Sequence, residues 1–241
     1  MSDYQTIRTV GAGARTAAYD EGLRTHMNRV YGQMSVAMLI TAGVAWAVGT
    51  SDQLVAAIFM SPLKWVVMLA PLVMVFAFGA VLNRLSAAAA QLYFYVYSAL
   101  MGLSLAFIFA VYTQTSIAST FLATAAAFAG LSIYGYTTKR DLSALGGFLM
   151  MGVIGLIVAS LINIFLASSA VAFAISFIGV LLFAGLTAYD TQAIKSMYLA
   201  HAQSGDTEWL GKSSIMGALQ LYLDFINMFM FLLQFMGNNR E

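Results

Sequence analysis

The chain has 241 residues, of which 61% are hydrophobic and only 9% are charged, and its mean hydropathy is +0.83. A soluble domain of this length needs far more charge at its surface, so the composition indicates an integral membrane protein whose first partner is the lipid bilayer. The net charge of +1 and the short basic runs argue against a nucleic-acid partner, and the lack of cysteine excludes disulfides and thiol-ligated metals. We expect no resident cofactor.

The pattern of apolar runs along the chain predicts an all-α, polytopic fold. Residues 1–29 are polar and contain no short apolar core followed by a cleavage site, so we expect a cytoplasmic N-terminal tail. Residues 30–236 then form a transmembrane domain of seven helices, since a run of about 20 apolar residues crosses a bilayer. The segment 191–213 is predicted to be a polar loop, and 237–241 a C-terminal tail. The predicted spans are 30–50, 63–82, an overlong and tilted 87–112, 117–136, 144–166, 170–190 and 214–236.

The distribution of Lys and Arg predicts the orientation of these helices in the membrane. If the N-terminus is cytoplasmic, only Lys64 and Arg240 fall on the outer side. Since the number of spans is odd, the C-terminus is then expected outside, in a multi-pass protein of the inner (cell) membrane. The basic residues of the cytoplasmic side are Arg8, Arg15, Arg24, Arg29, Arg84, Lys139, Arg140, Lys195 and Lys212.

Two aspartates lie inside the predicted spans. Asp224 falls near the middle of the seventh span and Asp190 near the cytoplasmic end of the sixth. A charged side chain at mid-bilayer costs about 2.5–3.5 kcal/mol, so each must face the interior of the bundle and find a partner. Helical periodicity supports this, because polar and small residues share one face of each helix. They are Ser213, Gly217, Gln220, Asp224, Asn227 and Gln234 on the seventh helix, and Ser176, Thr187 and Asp190 on the sixth.

The two polar faces belong to consecutive helices, which are expected to be antiparallel neighbours. Two carboxyls within hydrogen-bonding reach in a low-dielectric core share one proton and titrate as a pair. Such a pair is a proton-sensitive latch between helices, and Arg84 is the nearest cation to Asp190 on grounds of depth. The alternative is that the aspartates only hydrogen-bond neighbouring helices.

An enzymatic function is an alternative interpretation, because intramembrane aspartyl proteases place two aspartates on consecutive late helices. Their first aspartate follows a tyrosine, as Asp190 follows Tyr189. Their second follows a Gly-x-Gly pattern, whereas Asp224 follows Leu-Tyr-Leu, and no later span carries the expected Pro-Ala-Leu element. We therefore expect no enzymatic activity.

Three motifs resemble the Bax inhibitor family, also called the transmembrane Bax inhibitor motif family. They are 138–143 (TKRDLS), 188–195 (AYDTQAIK) and 221–229 (LYLDFINMF), and the approach to the first span, 19–24 (YDEGLR), is similar to the bacterial branch. The resemblance implies seven helices with the seventh central and wrapped by the other six. It also implies a pH-sensitive calcium leak gated by a hydrogen-bonded aspartate pair, which maps onto Asp190 and Asp224. An arginine at the end of the second helix can engage the first aspartate in this family, and Arg84 falls approximately there.

These inferences predict a proton-regulated calcium leak. Asp190 and Asp224 form the pH sensor and part of the ion path, with Arg84, Gln220 and Asn227 as supporting polar residues. Because calcium prefers six to eight oxygens, two carboxylates and a few amides bind it only transiently. The alternative implied by the resemblance is a non-conducting regulator, which binds a membrane protease or the stress and cell-death machinery.

Overall fold

The computed structural model describes residues 3–201 and 206–238, with side chains from residue 20 onward except at residue 83. Within this part of the chain, seven helical segments are long and apolar enough to cross a membrane, which confirms the predicted fold class. The helices are α1 (Asp3–Gly49), α2 (Asp52–Phe59), α3 (Leu63–Val81), α4 (Ala87–Leu105), α5 (Ile108–Val111), α6 (Gln114–Thr137), α7 (Ser143–Leu166), α8 (Ser169–His201) and α9 (Thr207–Met236).

The helix bounds differ from the predicted spans in several places. Helix α1 begins at Asp3, so the segment predicted as a tail continues the first transmembrane helix. The third span is not one overlong helix but is divided into α4 and α5 by a break at Ala106 and Phe107. The short helix α2 lies between the first two spans, where a backbone N–H donates to the capping hydroxyl of Ser51.

The predicted loop over 191–213 is wrong for most of its length. Helix α8 continues to His201, because Thr191, Ile194 and Tyr198 are buried against neighbouring helices and hold this polar stretch in the bundle. Helix α9 then begins at Thr207, where the Asp206 carboxylate accepts a hydrogen bond of 2.9 Å from the backbone N–H of Trp209. The two helices that carry the aspartates are therefore joined by a short connection.

Helix α9 lies at the centre of the bundle. It packs against α1, α4, α6 and α8, and its most apolar window is 61% buried, the largest share among the seven spans. Helix α3 packs chiefly on α4, and α7 chiefly on α8, so their windows are only 17% and 11% buried. The expected central position of the seventh span is thus confirmed, although α3 and α7 form an outer layer that faces lipid.

Glycines allow two pairs of helices to approach closely. A Cβ atom at Gly102 of α4 would collide with the backbone of Thr41 in α1, and one at Gly135 of α6 would collide with the carbonyl of Ala188 in α8. Small residues at such contacts are the usual basis of helix packing in lipid. The contact at Gly135 fixes α6 against α8 two residues before Asp190.

Several helix ends meet at one end of the bundle, which we call the basic end. The backbone N–H of Ala87 donates to a Glu208 carboxylate oxygen at 2.8 Å, which ties the start of α4 to the start of α9. The Gln192 side chain donates to the Arg140 carbonyl and accepts from the Leu142 N–H, both at 2.8 Å. The side of the membrane on which this end lies stays a prediction, and Arg240 lies outside the described residues.

Candidate functional site: a buried aspartate pair

Both aspartates are buried inside the bundle. Asp190 is 3% exposed and Asp224 is 4% exposed. Because α8 continues to His201, Asp190 lies well within its helix and not at the end where the sequence placed it. The prediction that Asp224 faces the interior is confirmed, since it lies on the side of α9 that packs on α8.

The two carboxyl groups are joined by a side-chain hydrogen bond, and Gln220 completes the cluster. The Gln220 amide Nε2 donates to Asp190 Oδ1 at 2.7 Å. A bond between two carboxyls requires a proton on one of them. No described protein group donates to the buried Oδ2 of Asp224, whereas Asp190 accepts from Gln220. The hydrogen bond therefore keeps at least one proton on the pair, and the two carboxyls gain and lose protons as one unit.

The polar faces of α8 and α9 meet at a second point. The Ser176 hydroxyl donates to Gln234 Oε1 at 2.8 Å, toward the end of the bundle opposite the basic end. Asn227 does not join the carboxyl cluster: its Nδ2 donates to the Leu223 carbonyl of its own helix at 2.8 Å. Asn227 nevertheless lies on the α9 face that carries Asp224 and is half-buried, so it can line a path along that helix.

Arg84 does not contact Asp190. It is exposed and ends a short 3₁₀ turn, Leu82–Arg84, after α3. Among the described residues the one ion pair joins Lys212 and Glu208 at 3.6 Å, one helical turn apart. The physical reason is packing, because α3 lies outside α4 and is separated from α8 by the central helix. Depth along the membrane, on which the sequence argument relied, does not determine this lateral position.

A second buried polar cluster, centred on Tyr222, was not predicted from the sequence. Its hydroxyl is 2.7 Å from Thr41 Oγ1, which also lies 2.9 Å from the carbonyl oxygen of Ser98. The rings of Phe94 and Tyr97 meet the Tyr222 ring edge-on, with centroids 5.6 and 5.9 Å away. A tyrosine in mid-span was the available signal, because a buried phenol hydroxyl needs a partner. This cluster fastens α9 to α1 and α4.

The chemistry of the pair is limited by the small number of acidic and imidazole groups around it. No third His, Asp or Glu stands with the two aspartates in the part of the chain that the structure describes. The carboxyl oxygens can hold and release a proton, and they can offer charge to a cation only when that proton leaves. Any cation would have to displace that proton from the same oxygens, and so small a set of oxygen donors does not suit tight calcium binding.

The helices and this site define a polytopic α-helical membrane protein with a hydrogen-bonded aspartate pair at its core. The sequence profile of the family described as "Inhibitor of apoptosis-promoting Bax1" matches residues 23–241, and the chain belongs to this Bax inhibitor family.

Comparison with bacterial proteins agrees. The chain is 48% identical over 220 residues to the inner membrane protein YbhL of Escherichia coli (strain K12), covering 91% of this chain and 94% of that protein. It is 43% identical over 241 residues to the uncharacterized protein RP147 of Rickettsia prowazekii, covering 100% of both chains. An uncharacterized protein of Caulobacter vibrioides is also 43% identical, over 253 residues and 100% of both chains.

Proposed function

We propose that this protein is a passive calcium leak of the inner membrane, gated by the proton shared between Asp190 and Asp224. The observation that carries the proposal is the hydrogen bond between two buried carboxyls on adjacent helices, α8 and the central α9. The membrane assignment rests on the seven apolar spans and on the inner membrane relative from Escherichia coli. The absence of enzymatic activity stays a prediction.

The one-proton state corresponds to the closed form. Neither carboxyl lines the two cavities that lie between α1 and α6, and both carboxyls are buried between α8 and α9. With one proton, the bond is charge-assisted and holds the helices together. Loss of the proton leaves two negative charges in contact, which repel by about 4 kcal/mol at a separation of about 4 Å and an effective dielectric constant of about 20.

A second proton also weakens the contact between α8 and α9, but by less than the loss of the shared proton does. It replaces a charge-assisted bond by a neutral one, which lowers the strength by about 1 kcal/mol. Calcium flux should therefore be lowest where the pair holds one proton, rise strongly on the alkaline side and rise weakly on the acid side. When the pair is fully ionised, its oxygens are also free to attract the cation, with Gln220 and Asn227 lining the same face of α9.

The test is calcium entry into proteoliposomes that contain a calcium-sensitive dye. Purified protein is compared with protein-free vesicles between about pH 5 and about pH 8. The proposal expects a flux that exceeds the control and has a minimum within or near this range. Protein that elutes as a single folded species yet gives no flux at any pH contradicts the proposal.

A second candidate function is that of a non-conducting regulator of another membrane protein. The family's description as an inhibitor favours it. In that case the aspartate pair only holds α8 and α9 together, and proteoliposomes show no calcium flux. An Asp224→Asn variant should then still bind the partner, such as a membrane protease. Co-purification of crosslinked partners with wild-type and variant protein distinguishes this function from the leak.

A further inference from the structure

An open groove runs along the bundle between α1 and α6. Both helices pack on α9, but they do not pack side by side, so a gap is left between them. The gap contains two cavities of about 960 and about 510 Å³, which share Met38, Ala42 and Phe121 as lining residues. We call this the α1–α6 groove. Phe225 and Phe229 of α9 form its floor.

The groove has the length of a membrane. Its wall on α1 extends from Arg24 to Trp46 and its wall on α6 from Gln114 to Tyr136. At 1.5 Å per residue each wall is about 33 Å long, close to the thickness of about 30 Å of a bilayer core. Exposed side chains, including Leu39 and Ile133, form the edges, so the groove opens sideways toward lipid.

The lining changes from charged to apolar along this length. At the basic end it contains Arg24, Asn28, Tyr31 and Tyr136. Further along it is uncharged and mostly apolar, with scattered Ser and Thr hydroxyls and with Gln114 at the opposite end. Arg24 is the one charged residue among the described lining residues of the two cavities, and no acid joins it there. A second cation, Lys195, lies next to Tyr136. Its Nζ donates to the Tyr136 carbonyl at 2.7 Å and lies 5.0 Å from the centre of the Tyr136 ring.

We propose that the α1–α6 groove binds one anionic glycerophospholipid from the surrounding bilayer. The headgroup phosphate lies at Arg24, within reach of the tyrosine hydroxyls, and an acyl chain lies along Met34, Met38 and Phe128. The charge pattern matches this ligand at both ends. Arg24, with Lys195 close by, faces the phosphate, and the uncharged part of the groove faces the acyl chain.

A transmembrane helix fits the groove less well. A helix with its side chains is about 10 Å across, so a length of about 30 Å occupies roughly 2,000 Å³, more than the two cavities hold together. A second copy of this chain would also have to insert a helix of that size. A flexible acyl chain, in contrast, fills a narrow and irregular gap without ordering a second protein.

The first test blocks the groove. Ala42 is exposed and lines both cavities, so Ala42→Phe fills the channel without disturbing the core. Ala47→Phe is the matched control, because Ala47 is exposed on the same helix and lines neither cavity. Each protein is purified in mild detergent, mixed with phosphatidylglycerol and measured by native mass spectrometry. We expect wild type and Ala47→Phe to retain one lipid, and Ala42→Phe to lose it.

The second test concerns the headgroup. We expect wild type to retain phosphatidylglycerol over phosphatidylcholine of the same chain length, and Arg24→Gln to reduce that preference by roughly five-fold. Arg29→Gln is the control, since Arg29 carries the same charge on α1 but lines a different cavity, and its preference should match wild type.

Three outcomes overturn the proposal. One is equal lipid retention by wild type and Ala42→Phe. Another is an Arg24→Gln variant with an unchanged headgroup preference. The third is a lipid-free dimer that Ala42→Phe dissociates, because it would show that a second copy occupies the groove.

Discussion

Replacing Asp224 by asparagine removes the exchangeable proton of this side chain but keeps its size and its ability to hydrogen-bond Asp190. The asparagine amide has the same size, and its N–H can donate to Asp190 in place of the acid O–H. The variant therefore holds α8 and α9 together with a charge-assisted bond that no rise in pH can remove. Calcium flux should stay at the wild-type minimum on the alkaline side.

The size of the effect follows from the repulsion that the variant avoids. In wild type, about 4 kcal/mol of repulsion between two carboxylates shifts the closed–open equilibrium by roughly a thousand-fold toward the open form. The weaker rise on the acid side, worth about 1 kcal/mol, corresponds to a shift of roughly five-fold and persists, because Asp190 can still be protonated. Asp224→Asn should thus abolish most of the pH response.

The assay is calcium entry into dye-loaded proteoliposomes, with wild type and variant reconstituted at equal density. Asp141→Asn is the control. Asp141 is exposed outside the spans, and hydrogen bonds from the Ser143 side chain and backbone hold the pKa of Asp141 below its usual value. It is therefore ionised throughout the range tested, and its neutralisation should not alter the pH profile. An Asp224→Asn protein that retains the full alkaline rise would refute the shared-proton gate.

Three further substitutions test other parts of the structure. Gln220→Leu removes the amide that stabilises the ionised form of Asp190, so the pair retains its protons to higher pH, and the flux minimum should move up by about one pH unit. Arg84→Gln should leave the pH profile unchanged, because Arg84 is exposed and away from the pair, and a shifted profile would show that it engages Asp190 in another conformation. Gly135→Ala should lower stability by about 1–3 kcal/mol through collision with α8, whereas Gly130→Ala, with open space around it, should not. Thermal unfolding in detergent measures the difference, and equal midpoints would contradict the close helix contact.

Features that depend on local composition and helical period could be predicted from the amino-acid sequence. Seven spans follow from the apolar runs, and the fourth and fifth predicted spans lie within a few residues of α6 and α7. The inward direction of Asp224 follows from the polar face of α9, because side chains on one face of a helix recur every three to four residues. The meeting of that face with α8 was expected from the order of the two helices alone, because consecutive helices are usually neighbours.

Which helices are neighbours, and where polar stretches remain helical, depends on contacts that appear only in the folded protein. Residues 191–201 look like a loop by composition, yet they are helical because Ile194 and Tyr198 pack against α9 and α1. Arg84 has the right depth for Asp190 but is separated from it by α4 and α9. The helical period of a sequence gives the direction of a side chain, but it does not say which helix lies next to it. The α1–α6 groove exists because two helices pack on the same central helix without touching along their length. That arrangement depends on contacts between residues far apart in the chain, which no local pattern encodes.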